Sequence, residues 1–160
     1  MSSITHEDIV LAQKEWVKSL IAIGQAYTEG KDYAGVTRSM LDRLYGYETG
    51  EGIVLFKPTR ASEVPFRGTY ASALSYFVGG DDAYPEDNGF ALTPWIEVVF
   101  ENHNVYYHGD VAIAMGQYYF TAKTGEVVRV EYTFGYIKDD ANQLKIILHH
   151  SSLPYEHDIK

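Results

Sequence analysis

Two histidines followed by two serines, in the run Leu148-His149-His150-Ser151-Ser152-Leu153-Pro154-Tyr155, form the densest group of proton-handling side chains in the sequence. Neighbouring side chains on an extended strand point to opposite faces, so His149 and Ser151 share one face while His150 and Ser152 share the other. An imidazole beside a hydroxyl on a concave face can order a water and titrate near neutrality. The competing reading from spacing alone is a polar strand end leaving its sheet for solvent. Fourteen tyrosines add further hydroxyls. They suit a wet, hydroxyl-lined cavity or interface, or a sheet that uses Tyr for its β propensity.

Metal chemistry finds little support. The chain has no cysteine and six histidines. None of the histidines forms the His-x-His pair with which one strand presents two ligands on one face. His103 and His108 flank an expected turn, and His6 and His157 lie near the ends. The acidic run Asp81-Asp82-Ala83-Tyr84-Pro85-Glu86-Asp87-Asn88-Gly89 lacks the ligand register of a calcium loop and reads as solvated. The expectation is a site with no metal and no cofactor.

Composition narrows the setting. The chain has 160 residues, 46% of them apolar and 22% charged, with a net charge of −9. This fits one domain spanning residues 1–160 around one core. The absence of a basic block argues against a nucleic-acid partner. No apolar run approaches the roughly 20 residues of a membrane helix, so no membrane partner is expected. The N-terminal residues have neither the positive region nor the apolar stretch of a secretory signal, and cytoplasm is the plain reading.

The elements that must position the site follow from periodicity. Thr5 is a candidate N-cap with Asp8 three residues on. Ile9, Ala12, Trp16, Val17, Leu20, Ile21 and Gly24 then recur at helical spacing, with Gln13 a polar break and Gly30 the stop. A second helix is expected over Asp32 to Tyr45, with Val36, Met40, Leu41 and Leu44 on one face. Ile53 to Phe56 is a short strand ended by Pro58. A third helix runs from near Thr69 to Gly79-Gly80. Strands follow at Trp95–Glu101, Val105–His108, Val111–Thr121, Glu126–Ile137 and Leu144–Ser151, with turns at Gly109-Asp110, Thr124-Gly125 and 139–142. Helices grouped ahead of an antiparallel meander give an α+β fold, with the helices on one face of a curved sheet. The order resembles the cone shared by nuclear transport factor 2, the SnoaL-like proteins, ketosteroid isomerase and the association domain of calcium/calmodulin-dependent kinase II. That scaffold carries enzymes, binders and assembly modules, so it does not decide function.

The His-His-Ser-Ser run resembles the C-terminal motif of the iota-class carbonic anhydrases. Three further stretches resemble the same family in the same order. They are Ala73-Leu74-Ser75-Tyr76-Phe77-Val78-Gly79-Gly80, Phe90-Ala91-Leu92-Thr93-Pro94-Trp95 and Val130-Glu131-Tyr132-Thr133-Phe134-Gly135-Tyr136. The likeness covers about Ile53 to Tyr155. It implies hydration of CO2 to bicarbonate in a metal-free pocket, with Thr59, Tyr76, His149 and Ser151 as catalytic residues. Thr59, Tyr76 and Ser151 would contact substrate. Thr69 is a nearby rival to Thr59, although a capping role would occupy its hydroxyl. Tyr76 also reads as a core aromatic, and Thr59 as a turn residue after Pro58. Arg67 is a candidate partner for the product anion, with a surface or capping arginine the commoner case.

Without zinc the pKa of water is not lowered, so hydroxyls must act by orienting the reactants and by donating to the developing carboxylate. His149 is the best-placed base, and Tyr76 would need a lowered pKa to compete. Two other functions remain open at this point. One is a non-catalytic cone for ligand binding or assembly. The other is an isomerase with Glu97, Glu101 or Glu131 as a buried base. A homodimer is expected, through a sheet face bearing Val128, Val130, Tyr132 and Phe134 or their opposite-face neighbours.

Overall fold

A computed structural model describes residues 3–156. Helix α1 spans His6–Thr28, and its start is a capping box. The Thr5 hydroxyl accepts from the Asp8 N–H, and the Asp8 carboxylate accepts from the Thr5 N–H. Ile9, Trp16, Leu20 and Ile23 are its buried stripe. Gly24 is part of that stripe because a Cβ there would stand 3.1 Å from the Thr93 carbonyl oxygen and 3.2 Å from that of Ala91. The polar break at Gln13 is also buried, and it exchanges hydrogen bonds with Asn102 on the sheet, at 2.8 and 3.2 Å. Helix α2, Tyr33–Leu44, is capped by Asp32 and ends where Tyr45 turns extended. Helix α3, Tyr70–Val78, starts from a second capping box, Thr69 with Ser72. A short 3-10 turn, Phe90–Leu92, leads into the sheet.

Five strands form one sheet, β1 (Leu55–Lys57), β2 (Trp95–His108), β3 (Val111–Ala122), β4 (Val127–Lys138) and β5 (Leu144–Ser152), in the order β1-β5-β4-β3-β2. Two features differ from the sequence-based expectation. The stretches expected as separate strands at 95–101 and 105–108 are one long strand, because a register shift between Asn102 and Asn104 absorbs His103 as a bulge. Gly116 faces that bulge, and a Cβ there would lie 2.2 Å from the Glu101 carbonyl oxygen, so a larger residue would push the strands apart. The second difference is that the sheet is not wholly antiparallel. β1 pairs parallel to β5, with Phe56 opposite His149 and Lys57 opposite His150. Four residues of apolar sequence gave no sign of this partner, since parallel pairing is set by a distant strand.

The helices cover one face of the sheet. Val130, Tyr132, Phe134 and Tyr136 of β4 point into that core, as do Ala112, Ala114, Tyr118 and Phe120 of β3. Val130, Tyr132 and Phe134 are therefore unavailable to a partner, and their opposite-face neighbours Arg129, Glu131 and Thr133 are polar. The apolar residues of the outer face stand instead on β2 and β3: Val99, Tyr106, Ile113 and Met115 are exposed there.

The acidic loop also departs from expectation. Asp81, Asp82 and Ala83 are exposed as expected, but Glu86 and Asp87 form a clamp. Arg67, 0% exposed, receives Asp87 side-on through two 2.7 Å bonds and donates to the Val64 and Ser72 carbonyls. The Asp87 side chain is equally buried, and it accepts from the Ser75 hydroxyl at 2.6 Å. Glu86 accepts the backbone N–H groups of Ser62, Glu63 and Val64. A buried cation needs such a full set of acceptors. With its donors taken, Arg67 is closed to a product anion. The clamp ties the 58–68 segment to α3, which fixes the residues just after β1.

Those backbone N–H bonds, with Arg67 nearby, lower the Glu86 carboxyl from 4.5 to about 2. A depressed carboxyl contributes stability above its unfolded pKa and loses it as pH falls through the folded one. Glu86→Gln should therefore melt below the parent at pH 7. Thermal melts between pH 7 and pH 2 should show that gap closing below about pH 4.5. A gap of constant size would disprove the clamp's charge dependence.

Candidate active site

β5 carries His149 and Ser151 into the core, 3% and 1% exposed. His150 and Ser152 face the other way, into an open outer cleft shared with Glu101, Gln117 and Thr133. Strand parity therefore separates the two His-Ser pairs as expected.

The His149 ring lies between two aromatic rings. Phe134 is 4.0 Å away on one side at an interplanar angle of 22°, and Phe56 is 4.8 Å away at 17°. Trp16 meets the ring edge-on at 5.9 Å. Both ring nitrogens nevertheless have polar partners. Nδ1 is 2.8 Å from the Tyr45 hydroxyl, which also accepts from the Trp16 indole N–H at 3.0 Å. Nε2 is 3.1 Å from the Tyr118 hydroxyl and 3.4 Å from the Ser151 hydroxyl. Tyr118 and Ser151 hydrogen-bond each other directly. Four elements contribute these groups: Trp16 from α1, Tyr45 from the end of α2, Tyr118 from β3, and His149 and Ser151 from β5.

Tyr76 comes from α3 and is 4% exposed. Its hydroxyl accepts the Arg60 backbone N–H at 3.2 Å, with the Thr59 side chain a second partner. The parallel β1–β5 pairing delivers Thr59, since chain leaving Lys57 opposite His150 passes beside Ser151. Lys57 secures the same edge by donating to the Ser151 carbonyl at 3.2 Å. Thr59, Tyr76, His149 and Ser151 thus line one cavity together with Tyr118, walled by Trp16, Phe56, Phe77 and Phe90. Its free volume of ≈ 10 Å³ is about the least that holds one water molecule. Thr69 is elsewhere, its hydroxyl used to cap α3.

Electrostatics change the roles assigned from sequence. Burial, with His150 adding to it, pushes His149 from 6.5 down to about 3, so the ring is neutral at ordinary pH. It does not titrate near neutrality, because the aromatic clamp excludes the water that would solvate an imidazolium. Burial likewise pushes Tyr76, Tyr118 and Tyr45 above the usual phenol range. Tyr76 is therefore a hydroxyl donor and not a base. The cavity offers neutral hydrogen-bonding groups in an apolar shell, which suits binding and polarising a small uncharged molecule.

The residues of the rival readings lie outside this cavity. Glu97, Glu101 and Glu131 are exposed on the outer face, so none of the three is a buried base beside Tyr76. Among the described residues no three His, Asp or Glu side chains are grouped to hold a metal. His6 opens α1, His103 sits in the bulge and His108 ends β2, while His157 lies outside the described residues.

Sequence reasoning missed Tyr45 and Tyr118 as site residues. Parity along β3 puts Tyr118 on the same face as Phe120 and Ala114. Its meeting with His149 depends on the registers of β3 with β4 and β4 with β5. Tyr45 carried no local signal, since it reaches Nδ1 only because α2 ends there in extended backbone.

Residues 7–153 match the model of the family described as metal-independent carbonic anhydrase. A metal-independent carbonic anhydrase of Nostoc sp. strain PCC 7120 is 45% identical over 157 residues, covering 96% of this chain and 76% of that protein. The crystal structure of an iota-carbonic anhydrase from a cyanobacterium, complexed with bicarbonate, superposes with a TM-score of 0.93 at 42% identity. The match covers 97% of this chain and 95% of that one. A nuclear transport factor 2-like superfamily protein from Salmonella enterica shares the fold at 11% identity and a TM-score of 0.50, over 96% of this chain and 93% of that one. The chain belongs to the metal-independent carbonic anhydrase family.

Proposed function

We propose that this chain hydrates CO2 reversibly to bicarbonate without a metal, as a carbonate dehydratase of the iota class. We assign Thr59, Tyr76, His149 and Ser151 as its catalytic residues, the first two and Ser151 touching substrate. The observation that carries the reading is the neutral cavity where these four side chains converge. A relative of high structural similarity is known in complex with bicarbonate, which supports the same ligand here.

The chemistry asked of the cavity is modest but specific. CO2 is apolar and suits walls of Phe and Trp. Holding it against a water converts a bimolecular encounter into an intramolecular one, a gain of as much as ~7–11 kcal/mol when geometry is good. As the water oxygen bonds to carbon, one O–H bond of the water breaks and its proton leaves for bulk solvent, so that CO2 and H2O become HCO3⁻ and H⁺, and negative charge develops on the CO2 oxygens. Donors fixed in a dry site stabilise that charge without reorganising. Tyr76, held protonated by burial, is such a donor, and Ser151 is a second.

We also propose one domain over residues 1–160, a cytoplasmic setting and a homodimer. The exposed row of Val99, Tyr106, Ile113 and Met115 on the outer face of β2 and β3 supports the dimer. Two such faces bury each other in an isologous contact. No described helix is long and apolar enough to cross a membrane.

Ser151→Ala and Tyr76→Phe should each lower kcat/KM for CO2 hydration by ~10- to 1000-fold in stopped-flow assays on metal-stripped protein. His150→Ala should stay within about threefold, the face it occupies being the outer one. Full activity in folded Ser151→Ala and Tyr76→Phe would remove this assignment. An inactive parent would leave the non-catalytic cone as the reading.

The dimer is checked by light scattering at micromolar concentration. The parent should have the mass of two chains, and Ile113→Glu with Met115→Glu that of one, with an unchanged circular dichroism spectrum. A parent with the mass of one chain refutes the dimer.

A further inference from the structure

The hydrogen bonds around His149 have a direction that the residue types impose. An indole nitrogen only donates, so the Trp16 N–H must give its hydrogen to the Tyr45 oxygen. The Tyr45 hydrogen then has one partner among the described residues, His149 Nδ1 at 2.8 Å. Were Nδ1 protonated instead, the Tyr45 oxygen would face two donors and its own hydrogen would be stranded in a fully buried place. Nδ1 is therefore the acceptor of the neutral ring, and the ring hydrogen belongs on Nε2. From there the chain runs on. Nε2–H donates to the Tyr118 oxygen, and the Tyr118 hydroxyl donates to Ser151. The Ser151 hydrogen is left to point into the cavity.

We infer that Trp16 and Tyr45 lock His149 as the tautomer protonated on Nε2. His149 then acts as a fixed hydrogen-bond donor that orients the Tyr118–Ser151 pair toward substrate, and not as the base that takes the proton of water. Trp16, Tyr45 and Tyr118 are positioning residues in this scheme, and each donor in the row polarises the next hydroxyl. The role of the row in catalysis rests on the carbonic anhydrase reading, whereas the tautomer does not. The ring's surroundings agree. The ionisable groups facing it are the Tyr45 and Tyr118 hydroxyls, with His150 acting from the next position along β5. Among the described residues no carboxylate is hydrogen-bonded to it to favour an imidazolium.

Nitrogen NMR of protein labelled with nitrogen-15 histidine tests the tautomer directly, with the His149 signals assigned by their loss in His149→Gln. Nδ1 should resonate as an unprotonated ring nitrogen and Nε2 as a protonated one, unchanged from pH 8 to pH 5. In Tyr45→Phe, which keeps the ring and removes the hydroxyl, the two signals should move toward a mixture of tautomers. A protonated Nδ1 in the parent, or a ring that titrates in that interval, would overturn the inference.

Activity separates donor from base. Glutamine presents an amide N–H near the Nε2 position but has no basic nitrogen. His149→Gln should hydrate CO2 within ~10-fold of the parent, whereas His149→Ala should lose ~100-fold or more. Equal loss in both variants, in folded protein, would return His149 to the role of base. If the parent itself hydrates no CO2 while the tautomer is as stated, the carbonic anhydrase reading fails and the hydrogen-bond assignment stands.

Discussion

A histidine that is cut off from water must satisfy two different ring nitrogens inside the protein, and most of this fold can be traced to that requirement. One nitrogen needs a donor and the other an acceptor. Here they come from Tyr45 at the end of α2 and Tyr118 in the middle of β3. The ring faces need apolar cover, which Phe56 of β1 and Phe134 of β4 supply by stacking. Four elements thus converge on one side chain of β5, and Trp16 of α1 reaches the same cluster through Tyr45. The helices and the sheet meet at a polar centre inside an aromatic shell. Buried polar networks of this kind are costly when any member lacks a partner and specific when all are satisfied. Among the described residues no buried side-chain polar atom lacks one.

The second constraint is the placement of the chain between β1 and α3. This segment has almost no regular structure, yet it must hold Thr59 against Tyr76. Arg67 and the acidic loop do this from behind. Asp87 neutralises the buried guanidinium, and Glu86 gathers three consecutive backbone N–H groups. The Arg67 guanidinium also lies over the Tyr84 ring at 4.6 Å. Chain that would otherwise be a mobile loop becomes a rigid wall of the cavity, with its anchoring charges kept away from substrate.

What could be read in the sequence was what depends on neighbours along the chain. The capping box at Thr5, the helical stripe through Trp16 and Leu20, the β4 alternation and the split of the His-His-Ser-Ser run between two faces all follow from local spacing. Tyr76 and Thr59 came from family likeness, and the cavity brings them together with His149 and Ser151. The parts that were misread are those fixed at a distance. The bulge at His103 lies beside Asn102, which Gln13 of the distant helix α1 meets by hydrogen bond. The clamp exists because Arg67 is buried, which no composition rule states for a run rich in aspartate. The near-neutral imidazole expected from residue type became a neutral ring through the burial supplied by Phe56 and Phe134. Nothing in the residues around Tyr45 indicated that its hydroxyl would meet a histidine on the last strand.

The parallel ladder between β1 and β5 bears on how the molecule assembles. The β2–β3–β4–β5 meander joins strands that are adjacent in sequence, so it can zip up through short turns. β1 has only three residues, and it must find β5 across the whole length of that meander and the loops before it. The entropy of closing such a long loop is recovered only once the partner strand is in place. The meander therefore closes through local pairing at small entropic cost, whereas seating Phe56 on His149 and Thr59 alongside Ser151 requires that long closure. The contacts that complete the site thus cost the most chain entropy, and those of the scaffold the least.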